Sequence, residues 1–140
     1  MLYKEFGVIF RGFVLYQFKF EKESDMIFEN LKGAFFSAII SFSRNLFSED
    51  LFYIESKHFT IAFSRGKINS CDTICDENLI AYAIFENGKC KKTDKIIEKK
   101  IRPKLNNVLN MFRKKYNGRD LTSLDVFDSF KSVLEVIMKN

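Results

Sequence analysis

The sequence contains no tryptophan, one histidine, one proline, three cysteines and six glycines among its 140 residues. Structural zinc sites use four ligands in pairs at short spacings, which Cys71, Cys75, Cys90 and the distant His58 do not provide. We therefore predict no metal site. The odd number of cysteines, together with an N-terminus that lacks the pattern of a secretion signal, indicates free thiols in a reducing cytoplasm.

Sequence motifs typical of nucleotide binding or catalysis are also absent. The chain has neither a GxGxxG loop nor a Walker phosphate loop. No apolar run approaches the roughly 20 residues that cross a bilayer. We interpret His58 as a partly buried sheet histidine and the acidic pair Asp76-Glu77 as part of a solvated loop. No residue stands out as a general acid, base or nucleophile, so we predict no catalytic residue, no cofactor and no enzymatic activity.

What the sequence does contain fits one folded domain, residues 1–140. Hydrophobic residues make up 46% of the chain and include 17 phenylalanines, which excludes disorder of the whole chain. Segments rich in β-branched and aromatic residues predict strands at 8–10, 13–20, 51–55, 58–64 and 79–85. Apolar periodicity predicts helices at 26–47, at 94–116 with a kink or fresh start at Pro103, and from 123 or 125 to 138.

These elements predict an α+β fold in the order β-β-α-β-β-β-α-α. We expect a five-stranded antiparallel sheet with one helix on one face and two on the other, because strands that are apolar on both sides need cover on both sides. The segment 65–78 is long for a connection, and a hairpin extension is one interpretation of it.

The first predicted helix carries apolar residues on two faces. One stripe recurs every three or four residues and is expected to pack on the sheet; it consists of Ile27, Leu31, Phe35, Ala38, Phe42 and Leu46. Phe36, Ile40 and Phe47 then fall on the opposite face. We predict that these three form a protein interface, since large exposed apolar patches usually mark one. Cover by a neighbouring loop or by the C-terminal tail is the alternative.

The positive charge is concentrated in one segment. The chain carries a net charge of +5, whereas residues 89–119 hold 12 Lys/Arg against 2 Asp/Glu, a local net charge of +10. Five of these basic residues are predicted to share one helix face: Lys91, Lys92, Lys95, Lys99 and Arg102. That face is either a solvated outer surface or a site for anionic lipid headgroups. Few aromatic residues are interleaved with it, which argues against nucleic acid.

The order of the elements resembles the longin domain, a member of the longin/roadblock group of profilin-like folds. The segments that carry the resemblance are GVIFRGFVLYQFKF, MIFENLKGAFFSAIISFSRNLF, LFYIES, FTIAFS, LIAYAIF, KIIEKKIRPKLNNVLNMFRKKY and VFDSFKSVLEVIM. The chain looks similar to archaeal longin-like proteins related to eukaryotic trafficking components. Pro103 and the segment 65–78 depart from the pattern.

The resemblance implies a non-enzymatic, cytoplasmic interaction domain. Its relatives dimerise, form platforms for Ras-like small GTPases, or belong to tethering, adaptor and SNARE proteins of vesicle trafficking. The family offers no GTPase-contact motif that could be transferred to residues of this chain. Two other functions remain open from the residues: a PAS- or profilin-like sensor with a small ligand in a Phe-rich core, and a module that binds anionic membrane peripherally through residues 89–119.

Overall fold

The computed structural model describes residues 3–19, 26–48, 50–87, 93–121 and 130. The strands are β1 (Tyr3–Phe10), β2 (Phe13–Lys19), β3 (Tyr53–Glu55), β4 (Phe59–Ile68) and β5 (Glu77–Glu86). The first helix is α1 (Met26–Phe47). α2 (Thr93–Ile96), a π-helical turn (Ile97–Ile101) and α3 (Arg102–Tyr116) follow one another without a break, and we call them together the second helix.

The five strands form one antiparallel sheet in the order β2-β1-β5-β4-β3. A two-residue turn joins β1 to β2, with Arg11 and Gly12 both at positive φ (52° and 79°), as tight hairpin turns require. β5 lies between β1 and β4, and its residues 79–83 are all buried. The predicted fold class, α+β with a five-stranded antiparallel sheet, is therefore confirmed.

Alternate residues of the central strands enter two separate cores. On one face, Ile9, Ile80 and Tyr82 pack with Phe36 and Ile40 of α1. On the other face, strand residues pack against the second helix, whose buried residues are Ile97, Ile101, Leu105, Val108, Leu109, Phe112 and Tyr116. The alternation follows from the two-residue period of side chains along a strand.

The last predicted helix, from 123 or 125 to 138, lies outside the described residues except for Phe130. Phe130 is helical and fully buried. Its ring meets those of Tyr16 and Phe112 edge to face, at centroid distances of 5.8 and 5.2 Å. This residue joins the same core as the second helix.

The prediction of which α1 face meets the sheet was wrong. Phe36 and Ile40 are only 3% and 7% exposed, and the Phe36 ring contacts those of Phe63 and Tyr82 at 5.4 and 5.2 Å. The expected core stripe is turned to solvent at Phe35, Ala38, Phe42 and Leu46, while the side chains of Ile27 and Leu31 lie outside the described part of the chain.

Gly33 explains why α1 turns this way. A Cβ at Gly33 would lie 2.6 Å from the carbonyl oxygen of Gly12 and 2.9 Å from the amide nitrogen of Val14. The helix backbone therefore touches the β1–β2 turn at the one α1 residue without a side chain. Gly33, Phe36 and Ile40 are spaced i, i+3, i+7, so the face that contains the glycine is the face that reaches the sheet.

The predicted irregularity at Pro103 takes the form of the π-helical turn immediately before it. The amide of Arg102 donates to the carbonyl of Ile97, five residues back. Proline has no N–H and its ring crowds the carbonyl four residues back, so a regular α-helical turn is unfavourable at this point. The helix continues through Pro103, and the predicted range 94–116 nearly matches the observed one.

Candidate functional site

The first candidate surface is a set of exposed apolar side chains on α1. Phe35, Phe42, Leu46 and Phe47 are 58%, 62%, 60% and 62% exposed, and we call them the α1 outer face. Phe35, Phe42 and Leu46 fall on one stripe at helical spacing. The ring of Phe47, at the end of the helix, meets that of Phe42 edge to face at 6.4 Å. Together they offer an apolar surface that includes aromatic rings.

Only one residue of the predicted interface belongs to this surface. Phe47 is exposed, as expected, whereas Phe36 and Ile40 are core residues and cannot contact a partner. The polar side chains of Ser41, Arg44 and Asn45 are exposed on the same stretch of helix. The α1 outer face is therefore an apolar stripe with polar neighbours, a composition typical of an interaction surface.

Among the described residues of the predicted basic face, Arg102 does not share a surface with the two lysines. Lys95 and Lys99 are exposed, and Lys91 and Lys92 lie outside the described residues. The prediction that Arg102 lies beside these lysines was wrong. Its guanidinium stacks on the ring of Phe52, 4.3 Å from the centroid. The π-helical turn uses one residue more than an α-turn, which rotates the following residues by about 100° and carries Arg102 away from the lysines.

A second candidate site is a cavity of about 160 Å³ where α1, the residues before β3, β4 and α3 meet. Its apolar lining consists of Ile40, Leu51, Phe52, Phe63 and Ile80. Its polar lining consists of Asp50, Ser64, Arg65, Arg102 and Asn106. The cavity lies at the sheet edge, where Phe63 donates to the carbonyl of Phe52 at 2.9 Å just beyond the paired residues of β3.

The polar groups of this cavity are held in defined positions. Arg65 donates to Asp50 at 2.6 Å, and the hydroxyl of Ser64 donates to the side-chain oxygen of Asn106. The Nε of Arg102 is buried and has no hydrogen-bond partner within the described structure. A buried N–H of a charged group without an acceptor is costly, and the burial of this atom leaves no space beside it for an acceptor in the cavity.

A third polar cluster joins the β1–β2 turn to the loop before β5. Arg11 donates to both carboxylate oxygens of Asp72, at 2.9 and 3.0 Å, and to both of Glu77, at 2.8 and 2.6 Å. The hydrogen bonds from Arg11, and a further one from Ser70, lower the pKa of Asp72 to about 2. Arg11 also lowers the pKa of Glu77. Every charge here has a partner, so we assign the cluster a structural role.

The remaining sequence candidates are dispersed. Cys71 and Cys75 are free and exposed, and Cys90 lies outside the described residues. His58 is exposed just before β4 rather than partly buried in it, and its carbonyl accepts a hydrogen bond from the amide of Asn87. Among the described residues, no group of three or more His, Cys, Asp or Glu side chains could hold a metal ion.

Sequence reasoning missed the cavity. Ser64 and Asn106 lie 42 residues apart in the chain, and nothing in their local sequence indicates that they meet. The α1 outer face, by contrast, had a signal in Gly33, because a glycine inside a helix that is apolar on two faces indicates close backbone approach on its own side.

The comparisons with known proteins identify no relative of this chain. None of the helices in the described ranges is both long and apolar enough to cross a membrane. No protein-family model, curated protein or solved structure matches the chain.

Proposed function

We propose that this protein is a non-enzymatic protein-interaction scaffold of longin type. In this proposal it acts in the cytoplasm as a platform for a Ras-like small GTPase or for a partner in a trafficking complex. The observation that carries the proposal is the α1 outer face, with Phe35, Phe42, Leu46 and Phe47 each more than half exposed. The element order, two strands, a helix, three strands and a long helix, supports the longin part of the proposal.

The physical argument rests on α1 being apolar on two faces. The inner face at Phe36 and Ile40 already fills one core of the domain. The outer stripe therefore has no cover within the described domain, and large apolar patches on a single domain usually mark protein contacts. Burying one phenylalanine side chain contributes about 1.5–3 kcal/mol, so the stripe supplies enough apolar surface for the centre of an interface.

A second copy of the chain is one of the partners included in this proposal. A two-fold contact would place the α1 outer face of one copy against the same face of the other, which makes an apolar stripe complementary to itself. A stable contact of this kind excludes about 1,200–2,000 Å² of surface in total. A GTPase would use the same stripe in competition with the second copy.

The experiment compares Phe42→Asp with Ser41→Asp. Both positions are exposed on α1 and both variants gain the same charge, but only Phe42 belongs to the outer face. We expect wild type to self-associate in sedimentation velocity, or to bind a small GTPase saturably. Phe42→Asp should weaken either interaction at least about 10-fold, since about 1.4 kcal/mol corresponds to that factor. Ser41→Asp should behave as wild type.

Two results would contradict the proposal. One is a wild-type protein that stays monomeric to about 0.5 mM and binds no GTPase of a Ras-like panel in either nucleotide state. The other is equal association by Phe42→Asp and wild type. Circular dichroism of both variants would establish that the fold is retained, as expected for changes at exposed positions.

A further inference from the structure

The second helix carries a concentration of positive charge on the sides that do not face the sheet. Between residues 95 and 115 the chain has eight Lys/Arg residues and a single acidic residue, Glu98. Four lysines of this stretch are exposed: Lys95, Lys99, Lys100 and Lys114. Lys104 and Lys115 are half-buried. We call these six residues the lysine surface, and at 1.5 Å per residue they extend over about 30 Å of helix.

The acidic residues at the start of this helix lie on another side of it, towards β3. The carboxylate of Asp94 accepts a hydrogen bond from the hydroxyl of Tyr53 in β3, and Glu98 follows it by about one turn on the same side. The ammonium of Lys104 lies instead over the ring of Tyr3 in β1, 5.3 Å from its centroid. Since β5 and β4 separate β1 from β3 in the sheet, the carboxylates and Lys104 lie on opposite sides of the helix.

The composition of the lysine surface fits lipid headgroups better than a protein or a nucleic acid. Protein interfaces are depleted in lysine and enriched in aromatic residues and arginine. Single-stranded nucleic acid is bound by aromatic rings interleaved with basic residues, whereas the only large apolar side chain exposed on the described part of this helix is Met111. A lysine ammonium is a hydrated point charge that needs no fixed geometry, which suits a layer of mobile anionic headgroups.

We infer that the lysine surface binds the headgroups of acidic phospholipids, so that the second helix lies flat on a negatively charged membrane. The contact is electrostatic and superficial, because the described part of the helix offers only Met111 for insertion between lipids. α1 packs on the opposite face of the sheet, so the α1 outer face would point away from the membrane. The inference does not depend on what binds the α1 outer face, so either can fail without the other.

The experiment sediments the purified full chain with sucrose-loaded vesicles of phosphatidylcholine containing about 30% phosphatidylserine, at about 50 mM and about 500 mM salt. Vesicles of phosphatidylcholine alone test for binding without charge, and a short DNA duplex at the same salt concentrations tests for nucleic acid.

Two triple variants distinguish the lysine surface from net charge. The key variant neutralises three exposed lysines of the surface: Lys95→Gln, Lys99→Gln and Lys114→Gln. The matched control neutralises three exposed basic residues elsewhere: Arg44→Gln, Lys57→Gln and Lys67→Gln. Each variant loses three positive charges from the wild-type net charge of +5, so both have a net charge of +2.

We expect half of the wild-type protein to sediment with acidic vesicles below about 1 mM accessible lipid at low salt, and none with neutral vesicles or at high salt. The key variant should bind about 100-fold more weakly, because each lysine near an acidic leaflet strengthens binding about 5-fold. The control variant should stay within about 3-fold of wild type.

Three results would overturn the inference. They are a wild-type protein that does not sediment with acidic vesicles at low salt, equal weakening by the two variants, and tighter binding to the DNA duplex than to the vesicles. All six substitutions are at exposed positions, where charges contribute little to stability, and thermal unfolding would verify that both variants are folded.

Discussion

At the scale of single residues, Gly7 and Tyr82 show how tightly the sheet and α1 fit together. Tyr82 is fully buried, its ring meets that of Phe36 at 5.2 Å, and its hydroxyl donates to the buried carboxylate of Glu5. A Cβ at Gly7 would lie 2.3 Å from the Cε1 atom of this ring. The glycine is therefore required because the tyrosine ring occupies the space that a side chain would need.

We predict that Gly7→Ala destabilises the protein by about 1–3 kcal/mol, the range for overpacking a close-packed core. Gly66→Ala is the matched control, because a Cβ there would meet Leu109 Cδ1 at an ordinary 3.6 Å. That variant should be neutral or stabilising by up to about 1 kcal/mol, since alanine lowers the entropy of the unfolded chain. Urea unfolding measures both, and equal effects of the two substitutions would refute the packing argument.

At the scale of elements, the order and type of the helices and strands were predictable from the sequence. The predicted range 26–47 matches the observed α1, Met26–Phe47, because apolar residues recur at helical spacing throughout this segment. β4 and β5 exceed the predicted strand ranges because they form the hairpin extension that was one interpretation of 65–78, with pairing as far as Ile68 and Glu77. Cross-strand pairing extends them there, and composition alone does not reveal pairing.

The orientation of α1 was not predictable from periodicity, since both of its faces are apolar. The contact of Gly33 with the β1–β2 turn sets the orientation of α1. This is a tertiary contact, and the local sequence reveals only that the residue is a glycine. Arg102 was misplaced for a related reason, because helical-wheel reasoning assumes 3.6 residues per turn and the π-helical turn departs from it. The cavity required both of these details and therefore could not be anticipated.

We predict that Gly33→Ala destabilises the protein by about 1–3 kcal/mol, although alanine is the better helix former by about 1 kcal/mol. The reason is that the new Cβ would meet backbone atoms of the β1–β2 turn at 2.6 to 3.0 Å. Ser41→Ala, at an exposed α1 position, should instead stabilise slightly through helix propensity. Chemical denaturation of both variants is the measurement, and a stabilised Gly33→Ala protein would show that α1 is not in close contact with the turn.

At the scale of the whole molecule, the surface charges are arranged unevenly. The excess of positive charge lies in residues 89–119, whereas Asp72 lies in the loop before β5 and Glu77 at the start of β5, where both carboxylates accept hydrogen bonds from Arg11. The Arg11 cluster joins two parts of the chain 61 residues apart, so it links the hairpin to the loop before β5. Stability should therefore depend on the ionisation of these carboxylates.

The sign of this dependence follows from the direction of the shift. Arg11, and after it Ser70, lowers the pKa of Asp72 to about 2 in the folded chain, below its value of about 3.9 in an unfolded chain. The ion pair therefore contributes stability fully above about pH 4, and that contribution is lost as the pH falls towards 2. The effect is small, because these groups are exposed to solvent and screened by it.

We predict that Asp72→Asn lowers the thermal midpoint at pH 7, and that its difference from wild type shrinks between pH 4 and pH 2, as Asp72 of the wild-type protein becomes protonated. Asp76→Asn is the control, since Asp76 is exposed in the same loop and undergoes the same chemical change. Its thermal midpoint should follow that of wild type across the whole range. Differential scanning calorimetry at low ionic strength is the measurement, because salt screens exposed pairs. A difference between Asp72→Asn and wild type that persists unchanged at pH 2 would mean that the substitution acts through packing rather than through charge.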